Sequence, residues 1–237
     1  METTDWLIIG VLLAGMFLSV YFRKLDLPGA LTGGLLAGLI YLGAGFTGIA
    51  LMSAFFILGT LATGHKMTYK ESLKAAEKSQ GKRNAIQVFS NAGIPALCGL
   101  LAWIFPENAS VFRLMLAAGF SSATADTLSS ELGTVYGKKF YNILTFQPDR
   151  RGLDGVVSIE GTLLGALGSI AMALIFSIEF GFHYAFLWIF IAGIFGNWVD
   201  SVMGATLQRH HYLSNNGVNL FNTILAGLVA GLLTTLE

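Results

Sequence analysis

Charged residues are scarce in this sequence. Only 12% of its 237 residues are Asp, Glu, Lys or Arg, whereas 54% are hydrophobic and the mean hydropathy is +0.66. This composition excludes an ordinary soluble domain, in which about a quarter of the residues are charged. With only four prolines, the chain keeps apolar runs that are long enough to cross a bilayer as helices. The sequence therefore predicts an all-α fold, a polytopic transmembrane helical bundle that forms a single domain over residues 1–237.

Two chemical signatures are also missing. The one cysteine, Cys98, lies in an apolar run, which excludes an intrachain disulfide and a multi-cysteine metal site. No Walker-type P-loop, GxGxxG or nucleophile elbow occurs, so the soluble nucleotide-binding folds are not indicated. The first apolar run follows the acidic residues Glu2 and Asp5 rather than a basic segment, and we expect it to be retained as a helix rather than removed as a signal peptide.

The apolar runs predict about eight spans. Their approximate bounds are 5–22, 28–45, 47–63, 85–105, 111–131, 156–178, 183–203 and 218–235. Thirteen of the 14 Lys and Arg residues fall in the connections that follow the first, third, fifth and seventh spans, and only Arg113 falls on the other side. By the positive-inside rule these connections are cytoplasmic and both termini are outside. We expect a multi-pass integral membrane protein, of the cell membrane in a prokaryote, with its charged side in the cytoplasm.

Polar residues recur at helical spacing in each of the last five predicted spans. The stripes are Arg83, Gln87 and Asn91; Ser122, Asp126, Ser129 and Ser130; Asp154, Ser158, Gly161 and Thr162; Asn197, Asp200, Ser201 and Gly204; and Asn215, Asn219 and Asn222. All five occupy the predicted cytoplasmic end, so we expect them to enclose one polar cavity. An ionisable group inside the membrane costs roughly 2.5–3.5 kcal/mol at the centre of a spanning helix, which makes the aspartates functional candidates. The asparagines equally suit interhelical hydrogen bonding.

The residue types in these stripes suit phosphate chemistry. Carboxylates of Asp126, Asp154 and Asp200, with amides of Asn91 and Asn219, form a hard-oxygen set that suits Mg²⁺ bound beside substrate phosphates. The candidates for binding the phosphates are Arg83, Lys138, Lys139, Arg150, Arg151 and the backbone at Gly155. Lysines at four-residue intervals between positions 66 and 82 predict a helix with one basic face. We interpret that face first as solvated or facing lipid headgroups, and second as contacting an anionic substrate.

Five blocks of the sequence stand out in order along the chain. They read GKRNAIQVFSNAGIPAL (81–97), TADTLSSELG (124–133), GLDGVVSIEGTLLGALGS (152–169), GNWVDSVMGATLQ (196–208) and NNGVNL (215–220). Together they resemble an integral membrane family that includes the phytyl-phosphate kinase of plant tocopherol synthesis and an uncharacterised animal transmembrane protein. The resemblance covers nearly the whole chain from the second span onward.

The resemblance implies a membrane enzyme that transfers a phosphoryl group from a nucleoside triphosphate, expected to be CTP, to a phytyl, geranylgeranyl or farnesyl-type monophosphate. Mg²⁺ is the implied cofactor. The implied catalytic residues are Asp126, Glu131, Asp154 and Asp200, and the binding residues within the matching blocks include Asn91, Ser158, Asn215 and Asn219. The resemblance predicts an aromatic residue after the Asp-Thr pair, and this sequence has Leu128 there. The difference concerns side-chain packing or the shape of the substrate. The expected partners are this isoprenoid monophosphate, the nucleotide and the lipid bilayer, with no nucleic acid.

A transporter or flippase of a lipid phosphate is the alternative interpretation. It predicts inverted repeats and helices that are broken near the middle of the membrane. The sequence has no such internal symmetry, and its polar residues gather at one end instead of at mid-depth. A purely structural membrane protein would leave the three aspartates unexplained. We therefore favour the isoprenoid-phosphate kinase.

Overall fold

Helices make up almost all of the computed structural model, which describes residues 3–73 and 81–236. They are α1 (Thr3–Tyr21), α2 (Leu27–Gly64), α3 (Met67–Ser72), α4 (Ala85–Ile104), α5 (Ala109–Tyr136), α6 (Ile159–Phe180), α7 (Tyr184–Met203) and α8 (Asn215–Leu233). Short 3₁₀ turns at Pro106–Asn108 and Thr234–Leu236 precede α5 and follow α8, and α7 continues as a π turn over Gly204–Gln208. Two-residue strands, β1 (Tyr141–Asn142) and β2 (Val156–Val157), pair antiparallel between α5 and α6. The predicted all-α fold is confirmed.

Helix α2 reverses direction at Gly45. That residue has φ +54° and ψ −144°, a conformation that glycine adopts far more readily than other residues. Gly29 and Gly59, near the two ends of α2, both pack against Arg83, whereas a straight helix would hold them roughly 45 Å apart. Helix α2 is therefore a hairpin of two antiparallel arms, which correspond to the predicted spans over 28–45 and 47–63.

Several helices are long enough to cross a membrane. Among the described residues, five helices meet this requirement by length and apolar composition, namely α2, α4, α6, α7 with its π turn, and α8. Helix α1 supplies a shorter apolar stretch over Trp6–Tyr21, and α5 carries Asp126 and Glu131. The multi-pass architecture is confirmed, while the count of eight spans stays a prediction.

Helix α5 is the centre of the bundle. It packs against α2, α4, α6, α7 and α8, and its Leu116, Phe120 and Ala123 are wholly buried. A Cβ added at Gly161 or Gly165 of α6 would lie 2.7 Å from a carbonyl oxygen of α5, so these two helices touch backbone to backbone. Such close approach is how membrane helices associate, because lipid tails are as apolar as the side chains. The polar residues of α5 are thereby carried into the middle of the bundle.

The connections rich in Lys and Arg meet at one end of the bundle. The N–H of Arg83 donates to the carbonyl of Lys24 (2.9 Å), and the guanidinium of Arg151 donates to the hydroxyl of Tyr69 (2.6 Å). Arg113, the exception in the sequence, lies at the opposite end and donates to a carbonyl beside the α2 turn (2.6 Å). We call the end that carries Lys24, Arg83 and Arg151 the charged end.

Candidate functional site

A cavity of about 680 Å³ lies at the charged end. Its volume is within the range of ligand pockets, about 300–1,000 Å³. Helices α4, α5, α7 and α8 and the loop that leads into α6 build its wall. The predicted site residues in that wall are Arg83, Asn91, Asp126, Glu131, Asp154, Gly155, Ser158, Asp200, Asn215 and Asn219. Residues from all five predicted polar stripes therefore reach one cavity, as expected.

The carboxyl groups of Asp126 and Asp200 lie within hydrogen-bonding reach of each other, and we call them the aspartate pair. Asn222 donates its amide to Asp200 Oδ2 (2.7 Å) and accepts from the hydroxyl of Ser122 (3.2 Å). Asn222 is fully buried, so its end of the network that links α5, α8 and α7 is shielded from solvent, while Asp126 and Asp200 line the cavity. Two carboxylates this close repel each other when both are ionised, so a shared proton or a cation stabilises the arrangement.

Glu131, one and a half turns further along α5, has a different partner. Its carboxylate forms an ion pair with the ammonium group of Lys70, which also donates to the carbonyls of Ala62 (3.1 Å) and Thr63 (2.6 Å). Helical geometry turns Glu131 by about 140° away from Asp126. One continuous helix therefore serves two separate acidic corners of the cavity.

The position of Lys70 corrects an expectation from the sequence. The regular lysine spacing predicts a solvated or headgroup-facing helical face, but α3 has only six residues and its Lys70 is 1% exposed. That interpretation is wrong for Lys70, because its ammonium group is held by three oxygen acceptors inside the bundle. Lys74 and Lys78 of the same predicted face lie outside the described residues.

Asp154 lies in the loop before α6 rather than on the helix. Ser158 is the N-cap of α6, where its hydroxyl accepts a hydrogen bond from the N–H of Gly161 (3.1 Å). The predicted stripe of the sixth span is therefore wrong at Asp154, which precedes the cap. Ser158, a predicted binding residue, is 5% exposed and already satisfies the start of the helix.

Arg209 holds this loop against the end of α7. Its Nε donates to the carbonyl of Asp154 (2.6 Å) and its Nη2 to Asp149 Oδ2 (2.8 Å). The hydrogen bond from Arg209, followed by one from the N–H of Arg150, holds the pKa of Asp149 below its ordinary value of 3.8. Burial raises the pKa of the Asp154 carboxyl, and attraction by Arg209 offsets part of that rise. The loop thus presents Asp154 to the cavity from a tethered backbone.

Gly155 brings the loop into direct contact with the π turn of α7. It has φ +71°, and a Cβ at this position would overlap the backbone of Ala205. π turns within α-helices are frequent at functional sites. The close approach that Gly155 permits therefore sets the carboxylate of Asp154 beside α7, the helix that carries Asp200.

Four predicted phosphate-binding residues lie outside the wall of the cavity. They are Lys138, Lys139, Arg150 and Arg151, all in the connection between α5 and α6. Arg151 donates to the carbonyl of Gly137 (2.7 Å) as well as to Tyr69, and it lies over the ring of Phe140 at 4.5 Å. Phe140 itself lines the cavity, so Arg151 lies directly behind the wall. In the described part of the chain, Arg83 is the one Lys or Arg that lines this cavity.

The predicted Mg²⁺ ligands meet in part. Among residues 3–73 and 81–236, no three His, Cys, Asp or Glu side chains form a group that could hold a metal ion by themselves. The aspartate pair is joined, and Asp154 is near enough to repel Asp200 electrostatically. The side-chain oxygen of Asn219, in the cavity wall, is buried without a hydrogen-bond partner. Two carboxylates and an unsatisfied amide oxygen match the donors that Mg²⁺ uses beside substrate phosphates and water, so this set fits the ion.

Lys70 and Arg209 are neighbours of the site that sequence patterns do not assign. The partner of Lys70 is 61 residues away along the chain, and the carbonyl that Arg209 binds is 55 residues away. Arg209 entered the sequence argument only as a charge that marks a side of the membrane, and Lys70 entered it also as part of the predicted basic helical face. Asn222 continues the stripe of Asn215 and Asn219, and this helical spacing is the signal that points to it.

The chain is similar to several known membrane proteins. Protein VTE6, chloroplastic, of Arabidopsis thaliana is 34% identical over 204 residues, which cover 83% of this chain and 61% of that protein. The chain thus spans about three fifths of the length of this plant relative. An uncharacterized membrane protein of Synechocystis is 35% identical over 201 residues, or 81% of this chain and 76% of the relative. One from Methanocaldococcus jannaschii is 33% identical over 236 residues, or 98% and 96%.

The family comparison covers most of the chain. No solved structure matches it. The model of the family described as integral membrane protein DUF92 matches residues 10–227, which include both the hairpin of α2 and the whole wall of the polar cavity. The chain therefore belongs to the integral membrane protein family DUF92.

Proposed function

We propose that this protein is a membrane-embedded isoprenoid-phosphate kinase, which transfers a phosphoryl group from a nucleoside triphosphate, in the first instance CTP, to an isoprenoid monophosphate. The observation that carries the proposal is that the aspartate pair and the unsatisfied amide oxygen of Asn219 line one polar cavity. The five sequence blocks that resemble a family with a phytyl-phosphate kinase support the same reaction. The charged end would face the cytoplasm, where nucleotides are found, in agreement with the positive-inside rule.

Mg²⁺ is the cofactor of this proposal. Asp126 and Asp200 would hold the ion, Asn219 would add an amide oxygen, and Asp154 would act as a third carboxylate or as an orienting group. When bound, the ion would neutralise charge that develops on the transferring phosphoryl group. The amide of Asn222 orients the Asp200 carboxylate by donating to it (2.7 Å), so the chain supplies a positioned ligand rather than a mobile one.

Arg83 is the proposed phosphate ligand of the wall. A guanidinium offers a planar fork of donors that binds phosphate in a bidentate way. It stands at the start of α4, whose N-cap Asn84 forms a capping box with Gln87 (3.0 Å each way), so the backbone beside it is well ordered. Asn91 and Asn215 would add polar contacts. The loop cations Lys138, Lys139, Arg150 and Arg151 stay predicted nucleotide ligands.

The proposed step is an in-line displacement. An oxygen of the isoprenoid monophosphate attacks the γ-phosphorus of the nucleotide, the bond from that phosphorus to the β–γ bridging oxygen breaks, and a nucleoside diphosphate leaves. The acceptor oxygen is already ionised near neutral pH, so no strong general base is needed. Positioning and electrostatic stabilisation then provide most of the catalysis. Such a step suits a site whose described wall is rich in carboxylates and amides.

A reaction with purified protein tests the proposal. Detergent-solubilised protein is incubated with γ-labelled CTP, ATP, GTP or UTP and with phytyl, geranylgeranyl or farnesyl monophosphate, with Mg²⁺ or with EDTA. We expect labelled isoprenoid diphosphate that requires both Mg²⁺ and the protein. The Asp200→Asn variant, purified identically, is the control for a contaminating kinase. Folded protein that forms no diphosphate from any pair, but moves the monophosphate across vesicle membranes, would replace the kinase with the transporter.

A further inference from the structure

A second hollow of about 200 Å³ lies between α1, α2 and α4. Its wall is almost entirely apolar and includes Leu12, Met16, Ile49, Met52 and Val88. We call it the apolar groove. Helix α1 packs on α2, and apolar residues on other faces of α1, such as Leu13 and Phe17, are 60% and 68% exposed. The groove therefore lies at the lipid-facing edge of the bundle.

The apolar groove and the polar cavity share part of their walls. Arg83 and Gln87 line both. The guanidinium of Arg83 lies over the ring of Phe55 at 5.2 Å, and Phe55 lines the groove. Arg83 also packs against Gly59, with a distance of 2.6 Å to the position of an added Cβ. A cation thus stands at the junction between a polar compartment and an apolar one.

We infer that the apolar groove binds the isoprenoid chain of the substrate, whose phosphate lies in the polar cavity next to Arg83. This inference rests on the proposed function and adds where the chain is recognised. A molecule with an anionic head and a long apolar tail matches the charge on one side of the junction and the apolar wall on the other. A free phosphate would leave the groove without an occupant, and a wholly apolar partner would not match the positive charge at the junction.

Two glycines of α1 allow a matched test of this groove. Gly15 lines the groove, and a Cβ added there would meet nothing within 4 Å. A larger side chain at position 15 therefore fills the hollow without a clash at its own Cβ. A Cβ at Gly10, on the same helix, also meets nothing within 4 Å, but Gly10 does not line the groove. Ser53, on the α2 wall of the groove, offers a second filling variant.

We expect Gly15→Leu and Ser53→Leu to raise KM for geranylgeranyl monophosphate by about tenfold or more, because pocket contacts of this size change discrimination by that amount. KM for dimethylallyl monophosphate, whose tail is too short to reach far along the groove, is expected to stay within about twofold. Gly10→Leu should leave both unchanged. Equal effects on long and short substrates in the two filling variants, with thermal unfolding unchanged, would overturn the groove assignment.

Photo-crosslinking tests the groove independently of turnover. The probe is a geranylgeranyl monophosphate with a diazirine near the far end of its chain, and labelled peptides are mapped by mass spectrometry. Labels are expected on α1 and the second arm of α2, with a loss of about tenfold in Gly15→Leu but not in Gly10→Leu. Labels on α6 or α7 would overturn the inference, and so would equal labelling of the groove by a diazirine phospholipid. If the groove is labelled while no diphosphate forms in any assay, the proposed kinase activity is wrong but the groove is still the site that binds the isoprenoid chain.

Discussion

The polar cavity has two acidic corners that the same helix builds but that are balanced in different ways. At one corner, Glu131 is held by Lys70, a cation that is 1% exposed. At the other, Asp200 is held by Asp126 and Asn222, neither of which carries a positive charge. The negative charge of Glu131 is therefore compensated within the chain. At the aspartate pair, the carboxylate oxygens of Asp126 and Asp200 lie next to each other in the wall of the polar cavity.

Position along the helix, rather than residue type, therefore decides whether an acidic side chain has a structural or a ligand-binding environment here. Asp126 and Glu131 lie in one motif of the sequence, yet they point to different sides of α5. We expect Glu131 to contribute mainly stability and Asp200 mainly chemistry. Variants at each corner should therefore differ in whether they change stability or turnover.

The largest expected effect is at the Lys70 corner. Lys70→Met should lower the free energy of unfolding by about 3–5 kcal/mol, because it leaves the carboxylate of Glu131 without its buried partner. The double variant Lys70→Met/Glu131→Leu should recover most of this loss, because the uncompensated charge is gone. Thermal or denaturant unfolding in detergent measures both. A single variant as stable as wild type would show that the ion pair contributes little.

The next effect concerns turnover at the aspartate pair. Asp200→Asn should reduce kcat by at least about 100-fold, or about 2.7 kcal/mol, as expected when one preorganised electrostatic contact is removed from an active site. Its unfolding temperature should change far less than that of Lys70→Met. The matched control is Ser201→Ala on the same helix, whose hydroxyl donates to the carbonyl of Asn197 (3.2 Å). Near-normal turnover in Asp200→Asn would remove the aspartate pair from the mechanism.

A smaller effect is expected where the loop meets α7. Gly155→Ala adds a Cβ to a residue with φ +71° that already touches the π turn. Gly181→Ala is the control, since it has φ +87° but no atom within 4 Å of an added Cβ. Backbone strain should lower the free energy of unfolding of each of these two variants by about 1–2 kcal/mol. Gly155→Ala should lower the free energy of unfolding by more than Gly181→Ala does. It should also raise KM for nucleotide, because Asp154 shifts with the loop. Equal costs at the two positions would mean that the contact with Ala205 relaxes freely.

The smallest effect is a pH dependence at the loop tether. Arg209 lowers the pKa of Asp149, so the carboxylate contributes stability that is fully present above its ordinary pKa of 3.8 and is lost as pH falls through the lowered value. Wild type should be slightly more stable than Asp149→Asn near neutral pH, and the difference should vanish in acid. Unfolding temperatures across this pH range measure it. Glu107→Gln, at the opposite end of the bundle, is the control, and a difference that grows in acid would contradict the sign.

Periodicity and charge predicted most of the architecture and much of the wall of the cavity. Helical spacing brought Arg83, Asn91, Asp126 and Asp200 to one cavity, because each long helix keeps its face over its full length. The segregation of Lys and Arg anticipated the two ends of the bundle. These features depend on residues that are near each other in the sequence, and a helix places residues at this spacing on one face.

Features that depend on distant contacts escaped prediction. The six-residue α3 turns Lys70 inward because Glu131 of α5 and the carbonyls of Ala62 and Thr63 accept its hydrogen bonds. Asp154 fits a helical pattern but lies in a loop that Arg209 and Gly155 hold against α7. The glycines on either side of Asp154 were the available sign that the helix does not begin there.

The turn at Gly45 bears on how the protein is made. The two arms of α2 are joined by that residue alone, and they lie against each other, since Gly48 packs on the side chain of Ile40. Each arm therefore offers the other a packing surface as soon as both have been synthesised. We expect the translocation machinery to release them into the bilayer together as a helical hairpin. Because Arg83 follows both arms in the chain, we expect it to fasten the two open ends of that hairpin once both arms are in place.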